Sequence, residues 1–382
     1  YVTYTNDAVH ETLREGFKDS PMFQGDIEGT GPRYCPSIED KINRFAERNR
    51  HQIFVEPEGW ETVETYINGF STSLPNDIQE KAIKLIPGFE NAKIFRPGYA
   101  IEYDYFPPTQ LQHTLETKLV KNLFFAGQIN GTTGYEEAGA QGLMAGINAS
   151  LNAMDQDNFV LNRDEAYIGV LIDDLITKGT KEPYRMFTSR AEFRMLLRQD
   201  NADERLTPKA QKLGLASEER LNLMEEKYSK INSGIKSIKK HGIKPDEINP
   251  YLESIGSKAI SQQNKISAIL SRPHVEIKEI LNRASLLEND EILNYDQDIL
   301  DSIEIEIKYS GYIQKEAQAA NKLKHLDKVK IPAEIDYKKL SSLSSEAVEK
   351  LGAIRPVDLG QANRISGISP SDISVLLTHI NK

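Results

Sequence analysis

Leu123-Phe124-Phe125-Ala126-Gly127-Gln128-Ile129-Asn130-Gly131-Thr132-Thr133-Gly134-Tyr135-Glu136-Glu137-Ala138 decides how the rest of the chain is read. A short apolar run breaks into a polar, glycine-rich stretch and then enters a small-residue helix, expected over Ala138 to Ala149. The run reads as a buried parallel strand, and the glycines permit a tight turn with backbone close to a ligand. A helix starting at such a turn directs its unpaired N–H groups and positive dipole end into it. Gly139, Gly142 and Gly146 carry little bulk, so the helix can pack closely on a sheet or a flat ring. Strand, glycine turn and small-residue helix together hold a nucleotide-type cofactor; the competing reading is an ordinary strand-to-helix connection.

Upstream, residues 1 to about 105 alternate short apolar runs with turn signals such as Pro57-Glu58-Gly59 and Pro87-Gly88. Tyr1 to Thr5, His51 to Glu56 and Ala100 to Tyr103 read as strands. Asn76 to Ile86 reads as a helix with Ile78, Ala82, Ile83 and Ile86 on one face. From about residue 156 the sequence turns long, charged and helical. Glu218 to Lys240 places Leu221, Met224, Tyr228, Ile231 and Ile235 near a 3.6-residue period, and Glu304 to Lys324 is similar. The fold class that follows is α/β, succeeded by an all-α C-terminal domain. The expected divisions are 1–105, 106–155, 156–300 and 301–382.

The chain has 382 residues, a formal net charge of −10 and one cysteine. No apolar stretch approaches the roughly 20 residues that span a bilayer. A single cysteine excludes an intramolecular disulfide and suits a reducing cytosol. The acidic balance argues against nonspecific coating of nucleic acid, but a local basic face can still contact phosphates. No Cys/His spacing of the zinc type occurs, so no structural metal is expected. The histidines form no triad; His51 reads as a packing or edge residue, and His325 and His379 as surface groups.

Cys35 is the one thiol. Pro36 fits the first position of a helix whose apolar face is Ile38, Ile42 and Phe45, which places Cys35 at the cap with Arg33 close in sequence. Both features lower a thiol pKa. The alternative start is Ser37, with Asp40 three residues on, leaving Cys35 just outside the helix. A small buried filler is the competing fate of a free cysteine. Arg185, Arg190, Arg194, Arg198 and Arg205 form a second constellation; on a helix, Arg190, Arg194 and Arg198 would line one face. Arginine suits bidentate phosphate contact, but Glu182, Glu192, Asp200, Asp203 and Glu204 make an internal ion-pair network an equal competitor. Asp173-Asp174 read as helix-surface or capping groups.

Leu123 to Ala149 resembles the flavin-contacting C-terminal motif of the MnmG (GidA) family, the tRNA uridine 5-carboxymethylaminomethyl-modification flavoproteins. Gly31 to Lys41, Tyr167 to Leu175, Glu182 to Arg190, Asp200 to Asp203 and Leu359 to Ile368 are similar to the same family. The resemblance implies a partial FAD-binding Rossmann-type domain, returning over 106–155 around an inserted α/β domain at 1–105, then a tRNA-facing helical domain and a partner-binding helical subdomain. Gly127, Gln128, Asn130, Gly131, Thr132, Gly134, Tyr135, Glu136, Gln141 and Gly142 are expected at FAD. Gln128, Asn130, Gly131, Thr132 and Gly134 would line the flavin edge with backbone N–H groups and side-chain amides. Gly31, Pro32, Arg33, Tyr34, Cys35, Pro36, Ser37, Ile38, Glu39, Asp40, Lys41, Ile42, Asn43, Arg44 and Phe45 form the segment associated with the NADH that reduces the flavin. Cys35 is implied as catalytic, either as a nucleophile toward the base or as a general acid.

The implied reaction puts a carboxymethylaminomethyl or aminomethyl group on C5 of the wobble uridine. Methylenetetrahydrofolate would be the one-carbon donor, and glycine or ammonia the amine. Implied partners are the tRNA anticodon loop, the GTPase MnmE and a second copy of the chain, in the cytoplasm and away from membranes. The last helices, Ser341 to Lys382, carry more apolar side chains than a small exposed tail needs, among them Ile365, Ile368, Ile373, Val375, Leu376, Leu377 and Ile380. Some are expected to pack internally and the rest to dock the GTPase, the competing reading being that they only complete the helical core. One departure stands out. The family's opening Gly-x-Gly-x-x-Gly turn is missing, since Gly29-Thr30-Gly31 runs into Pro32, so a C-terminal piece of a longer protein is expected. A non-catalytic tRNA- or partner-binding role, and a flavin oxidoreductase acting on a small molecule, are the alternatives from other classes.

Overall fold

The computed structural model describes residues 1–24, 37–100, 104–180, 182–287 and 290–380. The chain divides into two compact units, one of residues 1–108, 124–145 and 180–185, the other of 109–123, 146–179 and 186–382.

The first unit is built on β1 (Val2–Tyr4), β2 (Gln52–Pro57) and β3 (Thr65–Asn68), antiparallel in the order β1-β2-β3. Val2 pairs with Phe54, which pairs in turn with Asn68, so Thr3, Ile53, Val55 and Ile67 share one face. The helices of this unit are α1 (Asp7–Glu15), the single turn α2 (Pro21–Gln24), α3 (Ile38–Arg44) and α4 (Asn76–Lys84). Val9, Leu13, Ile38, Ile42, Ile53, Ile78, Ala82 and Ile83 bury together between helices and sheet. Local chemistry sets the helix starts. Asn6 accepts from the Val9 N–H at 3.0 Å, and Ser37 Oγ accepts from the Asp40 N–H at 3.2 Å. The start of α3 is therefore the Ser37 one, and Cys35 stands two residues ahead of that cap in sequence. Phe45 leaves the expected apolar face because the helix ends at Arg44, and it is exposed.

Among the described residues no strand is assigned over 123–126, where a buried parallel strand is expected. Leu123 is 40% exposed, neither sheet among the described residues includes this run, and the Leu123 carbonyl accepts from the Thr117 N–H at 2.8 Å. The expected strand at Ala100 to Tyr103 falls largely on 101–103, outside the described residues. The following helix, α5 (Tyr135–Ala153), starts three residues earlier than expected, and the division between units falls within it.

Among the described residues, the regular elements of the second unit are helices and the two-residue strands β4 (Gly242–Ile243) and β5 (Asn264–Lys265). After α6 (Tyr167–Lys178) and α7 (Ala202–Lys212) comes α8 (Glu218–Lys240), starting where Ser217 accepts from the Arg220 N–H. Short helices α9 (Pro245–Ser254), α10 (Ile266–Leu270) and α11 (Ile277–Leu281) then pack with α12 (Gln297–Asp327) around Ile231, Ile238, Leu252, Ile269, Ile280 and Ile303. The expected boundary at 300/301 lies inside α12, because Ile299, Leu300, Ile303 and Ile307 belong to that one core. Likewise the divisions at 105/106 and 155/156 do not coincide with the edges of the units. Finally α13 (Ser345–Ile354), α14 (Leu359–Arg364) and α15 (Pro370–Ile380) enclose a core of Ala347, Leu351, Leu359, Ala362, Ile365 and Leu376. Ile365, Ile373 and Leu376 pack internally, as expected for part of this apolar set, while Leu377 and also Val357 are exposed.

His10 and His51 are buried in the first unit with ring centroids 5.3 Å apart. Thr5 Oγ1 accepts from the His51 N–H at 2.7 Å and lies 2.7 Å from His10 Nε2, so it can donate to a neutral His10 ring. Burial, and then neighbouring positive charge, lowers the pKa of both rings. A group with a depressed folded pKa that charges on protonation favours the unfolded state below its unfolded pKa. The first unit should therefore lose stability as pH falls below about 6.5. Hydrogen exchange of β1 and α1 between neutral and mildly acid pH should show this, and His51→Gln should flatten the dependence.

Candidate functional site

The glycine turn is closed by side chains from within. Gln141, on α5, donates to Thr132 Oγ1 at 2.8 Å and to the Glu137 carbonyl at 3.1 Å. Its Oε1 accepts from Asn130 Nδ2 at 2.8 Å and from the Gly127 N–H at 3.2 Å. Thr132 in turn donates to the Gly127 carbonyl at 2.8 Å, and Asn130 to the Phe125 carbonyl at 3.0 Å. Asn130, Thr132 and Gln141 are buried. These bonds brace the turn from inside, while the buried Asn130 Oδ1 accepts no hydrogen bond among the described residues. What the turn offers outward is backbone. The Tyr184 N–H donates to the Gly131 carbonyl at 2.7 Å, tying the segment before Arg185 to the turn.

Two glycines here sit in crowded positions. Gly131 has φ +76°, and a Cβ there would lie 2.5 Å from Thr180 Oγ1 and 2.9 Å from the Tyr105 ring. At Gly134 a Cβ would fall 1.8 Å from both Arg185 Nη1 and Glu137 Oε2, which pair at 3.3 Å. Arg185, expected at tRNA, is therefore engaged at the turn, with Glu136 also 3.8 Å away. Gln128 and Tyr135 are exposed beside it. A Cβ at Gly139, Gly142 or Gly146 would meet nothing within 4 Å, so among the described residues the small-residue face of α5 is open. The α5 N-terminus with its glycine turn is a ready anion- and ring-binding element.

Of the segment Gly31 to Phe45, the residues Gly31, Pro32, Arg33, Tyr34, Cys35 and Pro36 lie outside the described residues. Within the rest, Ile38 and Ile42 are core, and Lys41 Nζ donates to the Gly69 carbonyl at 2.9 Å. Glu39 is buried, accepting from the Ser73 N–H and hydroxyl at 2.8 Å each.

The arginine constellation does not share a helix face. Thr188 to Arg190 forms one 3-10 turn, and 191–200 is irregular, with Ala191, Phe193 and Leu197 buried. Arg198 binds Asp200 at 3.0 Å and Glu306 at 2.5 Å, and Arg205 donates to Asn201, Glu165 and Arg198. Both hold the segment together. Arg194 is exposed.

A second correction concerns Asp173 and Asp174, which are 3% and 1% exposed rather than on the surface. Arg163 Nη1 bonds both, at 3.0 and 2.8 Å, while its other nitrogens chelate Glu192. Arg364 binds Asp173 bidentately at 2.8 and 2.9 Å and reaches Asp327 at 3.0 Å. Adjacent acids in one helix can both be buried because a single guanidinium spans them. Burial works to raise the Asp173 pKa, but His113, Arg364 and Arg163 outweigh it and hold the carboxyl well below the ordinary range. Arg163 carried no sequence signal, and Arg364 stood only within the family-like segment Leu359 to Ile368, since a buried cation has no period of its own.

Comparison with known proteins places this geometry. Residues 1–157 match the family model described as Glucose inhibited division protein A. Residues 218–317 and 319–382 match the tRNA modifying enzyme MnmG/GidA C-terminal helical domain and C-terminal helical bundle. The chain is 58% identical over 382 residues to the tRNA uridine 5-carboxymethylaminomethyl modification enzyme MnmG of Christiangramia forsetii, and 60% over 385 residues to that of Flavobacterium psychrophilum. The chain belongs to the MnmG/GidA family. Each match takes in 100% of this chain but only 61% of the MnmG relative. The form II crystal structure of Aquifex aeolicus GidA superimposes with TM-score 0.80 at 42% identity, covering 100% of this chain and 58% of that one. The form I crystal gives 0.79 at 43% identity, covering 99% and 59%. The family's helical C-terminal models fall on the helices of the second unit, in agreement with an α/β part followed by an all-α part.

Two substitutions test the turn. Gly134→Ala should displace the Arg185–Glu137 pair and lower thermal stability, whereas Gly139→Ala, facing open space, should be neutral or stabilise by up to about 1 kcal/mol. Asp173→Asn should destabilise the second unit by roughly 3–5 kcal/mol in urea unfolding, because Arg163 and Arg364 keep their buried charge.

Proposed function

We propose that the chain works in FAD-dependent modification of the wobble uridine of tRNA at C5, adding a carboxymethylaminomethyl or aminomethyl group. The observation that carries this is the glycine turn at the head of α5, braced from inside by Gln141 so that backbone and an open glycine face are what it offers outward. A flat ring fits against Gly139 and Gly142, and the helix N-terminus favours developing negative charge there. Bound FAD would supply the redox chemistry and carry the one-carbon unit from methylenetetrahydrofolate, with NADH as reductant. The residues of this chain orient it: Gly127 to Gly134 by backbone, Tyr135 and Gln128 from the exposed rim.

Cys35 is proposed to act on the base. Uridine C5 is a weak nucleophile; addition of a thiolate to C6 makes C5 enolate-like, and elimination after transfer restores the ring and the thiolate. General acid catalysis by the same thiol is the other role consistent with its chemistry. Incubation with RNA containing 5-fluorouridine separates them, since only a C6 nucleophile is trapped as a covalent adduct. Cys35→Ser should abolish transfer to uridine while leaving flavin binding intact.

The tRNA anticodon loop is the proposed substrate, with phosphate contact by Arg190 and Arg194. The GTPase MnmE is proposed as a partner docking near Val357 and Leu377, with the chain as a homodimer in the cytosol. Among the described residues no helix is long and apolar enough to cross a membrane.

Gly142→Val is the cleanest test of the flavin reading, because among the described residues a Cβ at this position would meet nothing within 4 Å beyond its own helix. Flavin absorbance titration should show weaker FAD binding with unchanged circular dichroism; equal affinity would remove α5 from the site. Arg194→Ala should weaken all cognate tRNAs about equally and reduce the salt slope by about one counterion. Arg198→Ala should instead lower thermal stability, through loss of Asp200 and Glu306.

A further inference from the structure

We propose that the outer face of the β1-β2-β3 sheet is a stacking platform for unpaired RNA bases. This deepens the reading of the chain as a tRNA-modifying protein and rests on it. The inner face of the sheet is packed on α1, α3 and α4, but among the described residues of this unit the outer face has no covering layer. At its centre is Phe54, 43% exposed. Val2 lies directly opposite it, and Tyr4 and Tyr66 sit on the two diagonals, since Tyr4 pairs with Gln52 and Tyr66 with Glu56. Diagonal neighbours on adjacent strands are within reach of aromatic rings, so these four side chains form one contiguous patch. Exposed apolar patches of this kind mark interaction sites.

Three features say what the patch fits. First, the Arg50 guanidinium carbon lies 4.7 Å from the centroid of the Tyr4 ring, so a cation already sits against the aromatic surface. Arg44 and Arg48 precede it in sequence, and Arg48 lies 5.2 Å from the Phe45 centroid. The acids Glu58, Glu61 and Glu64 lie in the loop after β2, at the other end of the strand. A phosphate backbone would therefore run at the Arg50 end, with bases laid across Phe54 toward Tyr66. Second, the polar side chains on the face are Gln52, Asn68 and Glu56, with Asn68 Nδ2 donating to Glu56 at 3.3 Å. Amides and a carboxylate offer both donors and acceptors to base edges, which a dry protein interface would leave unsatisfied. Third, size decides between occupants. Three strands and the five residues from Gln52 to Glu56 span roughly 10 Å by 14 Å. That is far below the roughly 800 Å² per partner of a stable protein interface, but it holds two or three stacked bases.

Trp60, the one tryptophan of the chain, is fully exposed in the loop joining β2 to β3 and reports on this face without labelling. A short RNA hairpin with an unpaired loop should quench Trp60 fluorescence on titration, and the matching fully paired duplex should not. Phe54→Ala and Tyr66→Ala should each weaken hairpin binding on the order of tenfold with unchanged circular dichroism, and Phe54→Tyr should restore it. If both alanine variants bind normally while Arg194→Ala still weakens tRNA, the platform is overturned and the tRNA reading stands. If the wild-type chain binds no RNA, both fall. If sedimentation without RNA shows self-association that Phe54→Ala abolishes, the face belongs to a second copy and the RNA assignment is wrong.

Discussion

Arg163 carries a permanent positive charge in a largely buried position, and a guanidinium so placed must be met by carboxylates or its desolvation would exceed any packing gain. Asp173, Asp174 and Glu192 meet it, and Arg364 then completes the Asp173 carboxylate. Through these bonds α6, the loop before it, the segment around residue 190 and α14 are set relative to one another within the second unit. Arg163 also donates to the Val170 and Arg190 carbonyls at 3.3 Å each. Those carbonyls would otherwise need other partners. Such a network selects one arrangement more than it deepens stability, since apolar replacements of buried ion pairs are often no less stable.

The glycine turn in the first unit follows the same accounting at smaller scale. Gln141, Thr132 and the Asn130 amide nitrogen are bonded within the turn itself and brace it from inside. Gln141 is the keystone, because its one amide answers the Gly127 N–H, Asn130 and Thr132 together. A site preorganised in this way loses little freedom when it binds, which is how rigid backbone turns recognise flat or anionic groups. The Arg185–Glu137 pair lies against Gly134, where a Cβ would have to displace one of those side-chain ends.

The sheet of the first unit shows how one short element can serve packing and recognition at once. Alternation along β2 sends Ile53 and Val55 inward and Gln52, Phe54 and Glu56 outward. The outward row mixes aromatic and amide groups, a composition suited neither to solvent alone nor to a dry core.

Much of this was legible in the residues themselves. The 3.6-residue spacing of Leu221 to Ile235 marked α8, the period through Ile78 and Ile83 marked α4, and Ser37 with Asp40 marked the true start of α3, because these signals are local and repeat within one element. The long ordered likeness to MnmG/GidA proteins was legible for the same reason: it is a property of sequence order. What only the tertiary structure decided were the partners of charged and polar side chains. Arg190, Arg194 and Arg198 have helical spacing, yet Phe193 and Leu197 bury in irregular backbone and Arg198 turns to Glu306, 108 residues away. Asp173 and Asp174 read as surface acids in the sequence, but the fold brings against them Arg163, from the loop before their helix, and Arg364, 191 residues from Asp173. A charge is satisfied by whatever lies within about 3 Å in space, and periodicity along the chain carries no record of that distance.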